Sequence, residues 1–264
     1  MMSVRIITPS APLRSGPAID ASLDSEGLYG EAFKVIATEN GFVFGALSTD
    51  GYQGWLPQDC LGDLPEPNAQ LISSMSNVTR DSKIKSHSCF SLSLGAQLTV
   101  LCKQDQCAKI VTNTSHGFLP CRHILPFKPT QCNTVIMNEI GFYDDWVGVA
   151  ESLIGSPYKW GGRTAWGLDC SALVQLALSA VGVNVPRDSG PQHEVGVGLD
   201  HEKDLRRGDL VFWKGHVGIM QGQEQLLHAN AYHMAVASEL LSKAIKRIGM
   251  TAGPVTALRR LVCI

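Results

Sequence analysis

Short stretches in which apolar and polar residues alternate at a period of two run through the first half of the chain, and they predict strands with one buried face. The pattern occurs twice. Gly54-Trp55-Leu56-Pro57 returns as Gly117-Phe118-Leu119-Pro120, 63 residues later, and Gly30-Glu31-Ala32-Phe33-Lys34-Val35-Ile36 returns as Gly95-Ala96-Gln97-Leu98-Thr99-Val100-Leu101, 65 residues later. Offsets this similar imply two copies of one unit. In each copy an alternating stretch leads through a turn to a second strand-like run, Phe42 to Leu47 or Ala108 to Val111, then a polar turn and the Gly-aromatic-Leu-Pro segment. That rhythm predicts a small β-barrel.

Beyond residue 135 the period changes. Trp146, Val149, Ala150, Leu153 and Ile154 recur at helical spacing, with Asp144 and Asp145 in front as caps and Gly155 behind as a stop. From Cys170 to Val181 apolar residues surround the axis, Asp169 is placed to cap the start, and Gly182 with Pro186 marks the end. A buried central helix is expected there. Asp209 to Trp213, Val217 to Gln221 and Gln225 to Ala229 read as strands, so this half is α+β. The Gly-Trp-Leu-Pro closure resembles bacterial SH3-like domains over residues 1–66 and 70–128. The Pro65-Glu66-Pro67 and Lys128-Pro129 stretches then act as linkers.

Composition narrows the function. The chain has 264 residues, 44% hydrophobic and 17% charged, which suits two or three packed units and excludes disorder as the main state. Its net charge of −2 is spread over both halves, so neither carries the basic excess that nucleic acid or an anionic membrane selects. The N-terminus lacks an apolar core for a signal peptide, and Ala172 to Val185 is too short and too polar to span a bilayer. Eight cysteines are too few for a disulfide scaffold and suit reduced thiols in a cytoplasm. Cys89, Cys102, Cys107, Cys121 and Cys132 read as core thiols, not metal ligands, and no motif calls for a cofactor.

The chemistry lies near the central helix. Cys170 follows a capping Asp in the first turn, where unpaired amides and the helix dipole favour a thiolate. His216 and His228 lie 12 apart about a turn centred near Gln221 to Gln223, so a hairpin would set them opposite each other on one face. A nucleophilic thiolate needs a base, and the base needs a group that fixes its tautomer.

Trp160-Gly161-Gly162, Leu168-Asp169-Cys170-Ser171-Ala172-Leu173-Val174, Pro186-Arg187-Asp188-Ser189, Gly208-Asp209-Leu210-Val211-Phe212-Trp213 and His216-Val217-Gly218-Ile219 closely resemble, in that order, the NlpC family of papain-like cell-wall peptidases. The resemblance implies a papain-like catalytic domain at residues 135–264, behind the two SH3-like barrels. It further resembles the murein-recycling endopeptidases, which cut between γ-D-glutamate and a diamino acid in peptides with a free N-terminal L-alanine. By position it implies Cys170 as nucleophile, His216 as base and acid, His228 as the orienting residue, and Tyr158 with the Cys170 amide as oxyanion donors. Asp169 would meet the substrate amine, Ser171 and Ser189 flank or contact the substrate, and Trp160 walls the cleft. Tyr52 and, more weakly, Glu31 would come from the first barrel to close the pocket. The expected protein is a cytoplasmic monomer acting on a murein peptide without metal or cofactor. An exported hydrolase or thiol amidase acting on intact wall, or a silent wall-binding module, remain the rival readings.

Overall fold

The computed structural model describes residues 4–127 and 145–261. Lys128-Pro129, Asp144 and Cys132 lie outside the described residues. The chain divides into two compact units, Met1–Pro129 with Trp160–Ala165, and Thr130–Lys159 with Trp166–Ile264.

The first unit holds the repeat. Strands β1 (Val4–Ile6), β2 (Ser10–Arg14), β3 (Leu23–Leu28), β4 (Ala32–Glu39), β5 (Phe42–Leu47), β6 (Gln53–Pro57) and β7 (Leu61–Gly62) form one sheet in the order β3-β2-β6-β5-β4-β1-β7. The second copy comprises β8 (Ala69–Leu71), β9 (Met75–Thr79), β10 (Ser88–Ser93), β11 (Gln97–Leu98), β12 (Val100–Gln104), β13 (Cys107–Val111), β14 (His116–Pro120) and β15 (Ile124–Pro126). They form a five-stranded sheet, β10-β9-β14-β13-β12, and a three-stranded one, β11-β8-β15. Repeated sequence becomes repeated structure. Gly-Trp-Leu-Pro lies in β6 and Gly-Phe-Leu-Pro in β14, and each runs into a single 3-10 turn, Gln58–Cys60 or Cys121–His123, through a proline at φ −60°. Proline fixes that φ and forgoes a ladder hydrogen bond, so it ends the strand and starts the turn.

Each copy encloses its own core. Ile6, Leu13, Phe33, Val43, Leu47 and Leu56 are buried in the first, and Leu71, Val78, Leu92, Leu98, Ile110 and Leu119 in the second, which also receives Tyr29. The copies touch at a tight point. The Gln97 amide donates to the Tyr29 carbonyl at 2.8 Å, and Gly30, at φ +79°, is so close that a Cβ there would sit 2.0 Å from the Gln97 carbonyl oxygen. Not every apolar residue of the repeat is inward: Ile36 and Leu101, its matched ends, are both more than half exposed.

The second unit contains helices α1 (Trp146–Glu151), α2 (Cys170–Ala180), α3 (Ser189–Gln192) and α4 (Leu241–Gly249). The first unit's β16 (Arg163–Thr164) and the second unit's β17 (Gly167–Leu168) precede α2 in sequence. A sheet of β18 (Val197–Gly198), β19 (Asp209–Trp213), β20 (His216–Met220), β21 (Gln225–Asn230), β22 (Ala235–Leu240) and β23 (Ala257–Arg260) has the order β18-β23-β19-β20-β21-β22. Every α2 residue except Ser179 is buried, and the helix packs on β20 and β21. The alternating strand Asp209–Trp213 is buried at all five positions, covered on both sides. A helix was expected through Ile154, but α1 ends at Glu151, so Ile154 falls past its periodic face and is half exposed. Asp145 precedes α1 without a well-aligned side-chain cap, and its two carboxylate oxygens pair with Arg207 at 2.7 and 3.1 Å.

The close approach at Gly30 gives a direct test. Gly30→Ala adds a left-handed backbone penalty and a clash with Gln97, together about 3 kcal/mol, so the calorimetric transition of the first unit should drop by several degrees. Gly51→Ala, at φ +74° with open space around it, should cost only the backbone term. Equal shifts would remove the clash from the account.

Candidate active site

Asp169, in extended geometry, starts α2 and accepts a hydrogen bond from the Ala172 amide at 2.9 Å. This capping fixes the next residue, Cys170, in the first turn. The thiol is nearly buried and receives hydrogen bonds from the Val217 and Ser171 backbone amides. Val217 directly follows His216, so α2 and β20 bring the thiol and the first imidazole into one region of the second unit.

The two histidines meet, though not in the expected register. β20 pairs with β21 as Ile219 to Leu227 and Met220 to Leu226, which continued outward sets His216 opposite Asn230. The turn spans Gln221 to Glu224 and closes with the Gln221 amide on the Gln225 carbonyl at 2.8 Å, so its centre lies further along than expected. An offset of two residues keeps side chains on the same face, and diagonal neighbours still reach each other. His216 Nε2 lies 2.8 Å from His228 Nδ1. On its far side, His228 Nε2 lies 2.9 Å from Glu239 Oε1 in β22, and Glu239 is ion-paired with Arg247 of α4. Arg247 in turn lies over the Tyr232 ring, 4.3 Å from its centroid.

Burial dominates the electrostatics. It pushes the Cys170 thiol up to about 12, aided by the Asp169 charge and opposed by the two amides. His216 is lowered to about 3, by burial and then by His228 and Arg247, and His228 likewise by burial, Arg247 and His233. The expected thiolate is therefore outweighed. Desolvation, which the sequence does not display, exceeds the pull of the helix terminus, and both the thiol and the imidazole rest neutral. Tyr158 is also raised to about 12, by burial and then by the Cys170 and Asp169 charges, so it lies within electrostatic reach of both.

Asp169 does more than cap. Arg187 donates to both its oxygens, at 2.9 and 2.6 Å, and to the Ser171 hydroxyl at 3.0 Å, while Ser171 donates to Asp169 at 3.2 Å. The carboxylate expected to await an amine thus already has a guanidinium partner. The part of the pair that reaches the surface is the acid, 11% exposed against 1% for Arg187. Gln192 of α3 donates to the Ser171 and Pro186 carbonyls, tying α3 to this corner, and Ser189 is half-buried at the start of α3. Arg187, Gln192 and Glu239 were not assigned roles from sequence; Arg187 sat inside a recognised motif, whereas Glu239 lies outside every motif and every strand read from the sequence.

Three expected site residues belong to the first unit. Trp160 is 70% exposed there. Tyr52 packs against the first barrel's core, and its amide is held by Asp50 at 2.9 Å. Glu31, expected as an amine contact, is buried with both oxygens occupied: Arg163 donates to them at 3.0 and 3.2 Å, the Leu28 amide at 2.7 Å and the Thr49 hydroxyl at 3.1 Å. An acid so desolvated needs that compensation, and it serves to anchor the segment around Arg163. His228, His233 and Glu239 bring potential metal-binding atoms within 4.8 Å of one another, but Arg247 and His228 already occupy Glu239.

Residues 155–252 match the NlpC/P60 family model, and residues 13–61 match the bacterial dipeptidyl-peptidase Sh3 domain model. A γ-D-glutamyl-L-lysine dipeptidyl-peptidase of Bacillus subtilis is 26% identical over 234 residues, covering 82% of this chain and 75% of that protein. Dipeptidyl-peptidase 6 of Lysinibacillus sphaericus is 26% identical, covering 87% of this chain and 88% of its own. A γ-D-glutamyl-L-lysine dipeptidyl-peptidase of Bacillus cereus is 36% identical, but the match spans 28% of its length. The crystal structure of an NlpC/P60 family protein from Bacillus cereus has the same fold, with a TM-score of 0.81 over 98% of this chain and 99% of that one at 19% identity. The architecture is α+β, with a papain-like unit behind an SH3-like one.

The two neutral histidines, His228 buried and His216 partly so, make stability depend on pH. In the unfolded chain each titrates near 6.5, whereas in the folded protein each stays neutral to about 3, so acid drives protons onto the unfolded state alone. Stability should fall below pH 6.5 by up to about 1.4 kcal/mol per pH unit for each group. Urea midpoints between pH 7 and 4.5 should therefore decline less steeply in His228→Asn than in the native protein. Parallel declines would contradict the buried neutral state.

Proposed function

With an NlpC/P60 domain over residues 155–252 behind a bacterial dipeptidyl-peptidase SH3 domain as the premise, we propose that this protein is a cysteine endopeptidase of murein peptides. The bond cut is that between γ-D-glutamate and the following diamino acid, in peptides with a free N-terminal L-alanine. The reading treats residues 1–66 and 70–128 as SH3-like barrels and 135–264 as the peptidase domain, acting as a monomer on released peptides in the cytoplasm. Among the described residues no helix is long and apolar enough to cross a membrane. The observation that carries the reading is the 2.8 Å contact between His216 and His228, made on the strand whose Val217 amide meets the Cys170 thiol.

The chemistry follows from those contacts. As the substrate carbonyl carbon comes within bonding distance, the Cys170 proton passes to His216 and the sulfur forms a C–S bond. Coupling transfer to attack avoids a resting thiolate, which the buried site disfavours. The carbonyl oxygen becomes an oxyanion that the Tyr158 hydroxyl and the Cys170 amide stabilise. Breaking the C–N bond releases the amine with the proton from His216 and leaves a thioester. Water then attacks the thioester, giving a proton to His216, and the thiol is restored as the acid leaves.

Selection for a free amine rests on Asp169. Because the exposed part of its pair with Arg187 is the carboxylate, an ammonium is the better guest there, and a blocked terminus would leave the acid without that contact.

Four measurements, two on variants and two on the native protein, test the proposal. Cys170→Ala should abolish release of the diamino acid from L-Ala-γ-D-Glu-diamino acid while the circular dichroism spectrum stays native. N-acetylation of the peptide should slow kcat/KM by about 100-fold, roughly 2.7 kcal/mol. Tyr158→Phe should lower kcat by about 100-fold, the usual cost of one oxyanion donor. Intact sacculi should yield little product. Equal cleavage of free and acetylated peptides, or efficient cleavage of sacculi, would instead favour a hydrolase of polymeric wall.

A further inference from the structure

The contacts around His228 determine where its single proton sits. Glu239, ion-paired with Arg247, offers only lone pairs, so the hydrogen between Glu239 Oε1 and His228 Nε2, 2.9 Å apart, belongs to His228. A neutral imidazole carries one N–H, and His228 is kept neutral by burial and by the neighbouring Arg247 and His233. Its Nδ1 is therefore a bare acceptor. The partner 2.8 Å away, His216 Nε2, must then be the donor, because two acceptors facing each other at that distance would repel. His216 is neutral too, so its remaining nitrogen, Nδ1, holds a free lone pair.

We propose that Glu239 is a positioning residue which, through His228, sets the direction of the hydrogen bonds and thereby makes His216 Nδ1 the atom that takes the thiol proton. The inference rests on the reading of Cys170 and His216 as the reacting pair. Without the acid, His228 has no partner to hold its proton on Nε2, and the reversed arrangement becomes accessible. In that arrangement His228 Nδ1 donates to His216 Nε2, the His216 proton moves to Nδ1, and the nitrogen needed as base is blocked. Arg247 holds the acid in place: it pairs with Glu239 from α4 and is itself laid over Tyr232. When His216 becomes an imidazolium during turnover, the bare Nδ1 of His228 still accepts its proton, so the same order serves both halves of the reaction.

Glu239→Gln and Glu239→Ala separate this role from mere packing. Glutamine keeps a carbonyl oxygen for both His228 and Arg247, so its imidazole nitrogen shifts, read by NMR on protein labelled with ¹⁵N-histidine, should show the native Nε2–H form of His228. Alanine should give a mixture of the two tautomers at His228 and His216. Peptide cleavage should follow the tautomers: kcat down about 10- to 100-fold in Glu239→Ala with KM changed little, and most of that loss recovered in Glu239→Gln. Native tautomers and native kcat in Glu239→Ala would overturn the inference, as would a glutamine variant no more active than the alanine one. The spectra need no substrate. A tautomer change in a protein that never cleaves the peptide would refute the peptidase reading and keep the proton order, whereas cleavage that ignores the tautomers would do the reverse.

Discussion

His228 has no exposed surface, so both its ring nitrogens must be satisfied inside the protein. That requirement organises the C-terminal sheet around the site. One nitrogen is met from β20 by His216 and the other from β22 by Glu239, and β21 lies between those two strands. A buried imidazole left with an unmet nitrogen would cost on the order of 1–3 kcal/mol, more than most single surface contacts contribute. The sheet order and the position of the His216 ring are thus two consequences of one constraint.

A parallel constraint acts at the start of α2. Asp169 must cap the helix, and being nearly buried it must also have its charge compensated, which Arg187 does across 18 residues of chain. Because Ser171 and Gln192 join the same network, the backbone on either side of Cys170 is held by polar contacts and the thiol by the apolar helix behind it. The result is a thiol held in position but not ionised at rest. On the proposed mechanism its reactivity is released when a substrate carbonyl and the imidazole arrive together, and stray electrophiles meet a thiol instead of a thiolate.

Local chemistry was well written in the sequence. Phe42–Leu47 and Asp209–Trp213 form strands with the bounds that their apolar runs predict, and the paired Gly-aromatic-Leu-Pro segments fold alike because proline imposes the same φ in both. Asp169 before an apolar run was equally legible as a cap. What stayed hidden depends on distance in the fold. The pairing of Asp145 with Arg207 joins residues 62 apart, and Glu239 meets His228 only because β21 and β22 lie side by side. The hairpin register failed by two residues because a turn's closing hydrogen bond, not the count between two histidines, sets which residues face each other. Desolvation was invisible for the same reason: the helix terminus that favours a thiolate can be read from Asp169-Cys170, but the burial that outweighs it is made by the folded surroundings.

The most direct measurement of the central claim is the intact mass of the protein quenched in acid within one turnover of L-Ala-γ-D-Glu-diamino acid. The account predicts an added L-alanyl-γ-D-glutamyl group, located by fragmentation on the Cys170 sulfur and removed by hydroxylamine. Rapid product release with an adduct on another residue would contradict it.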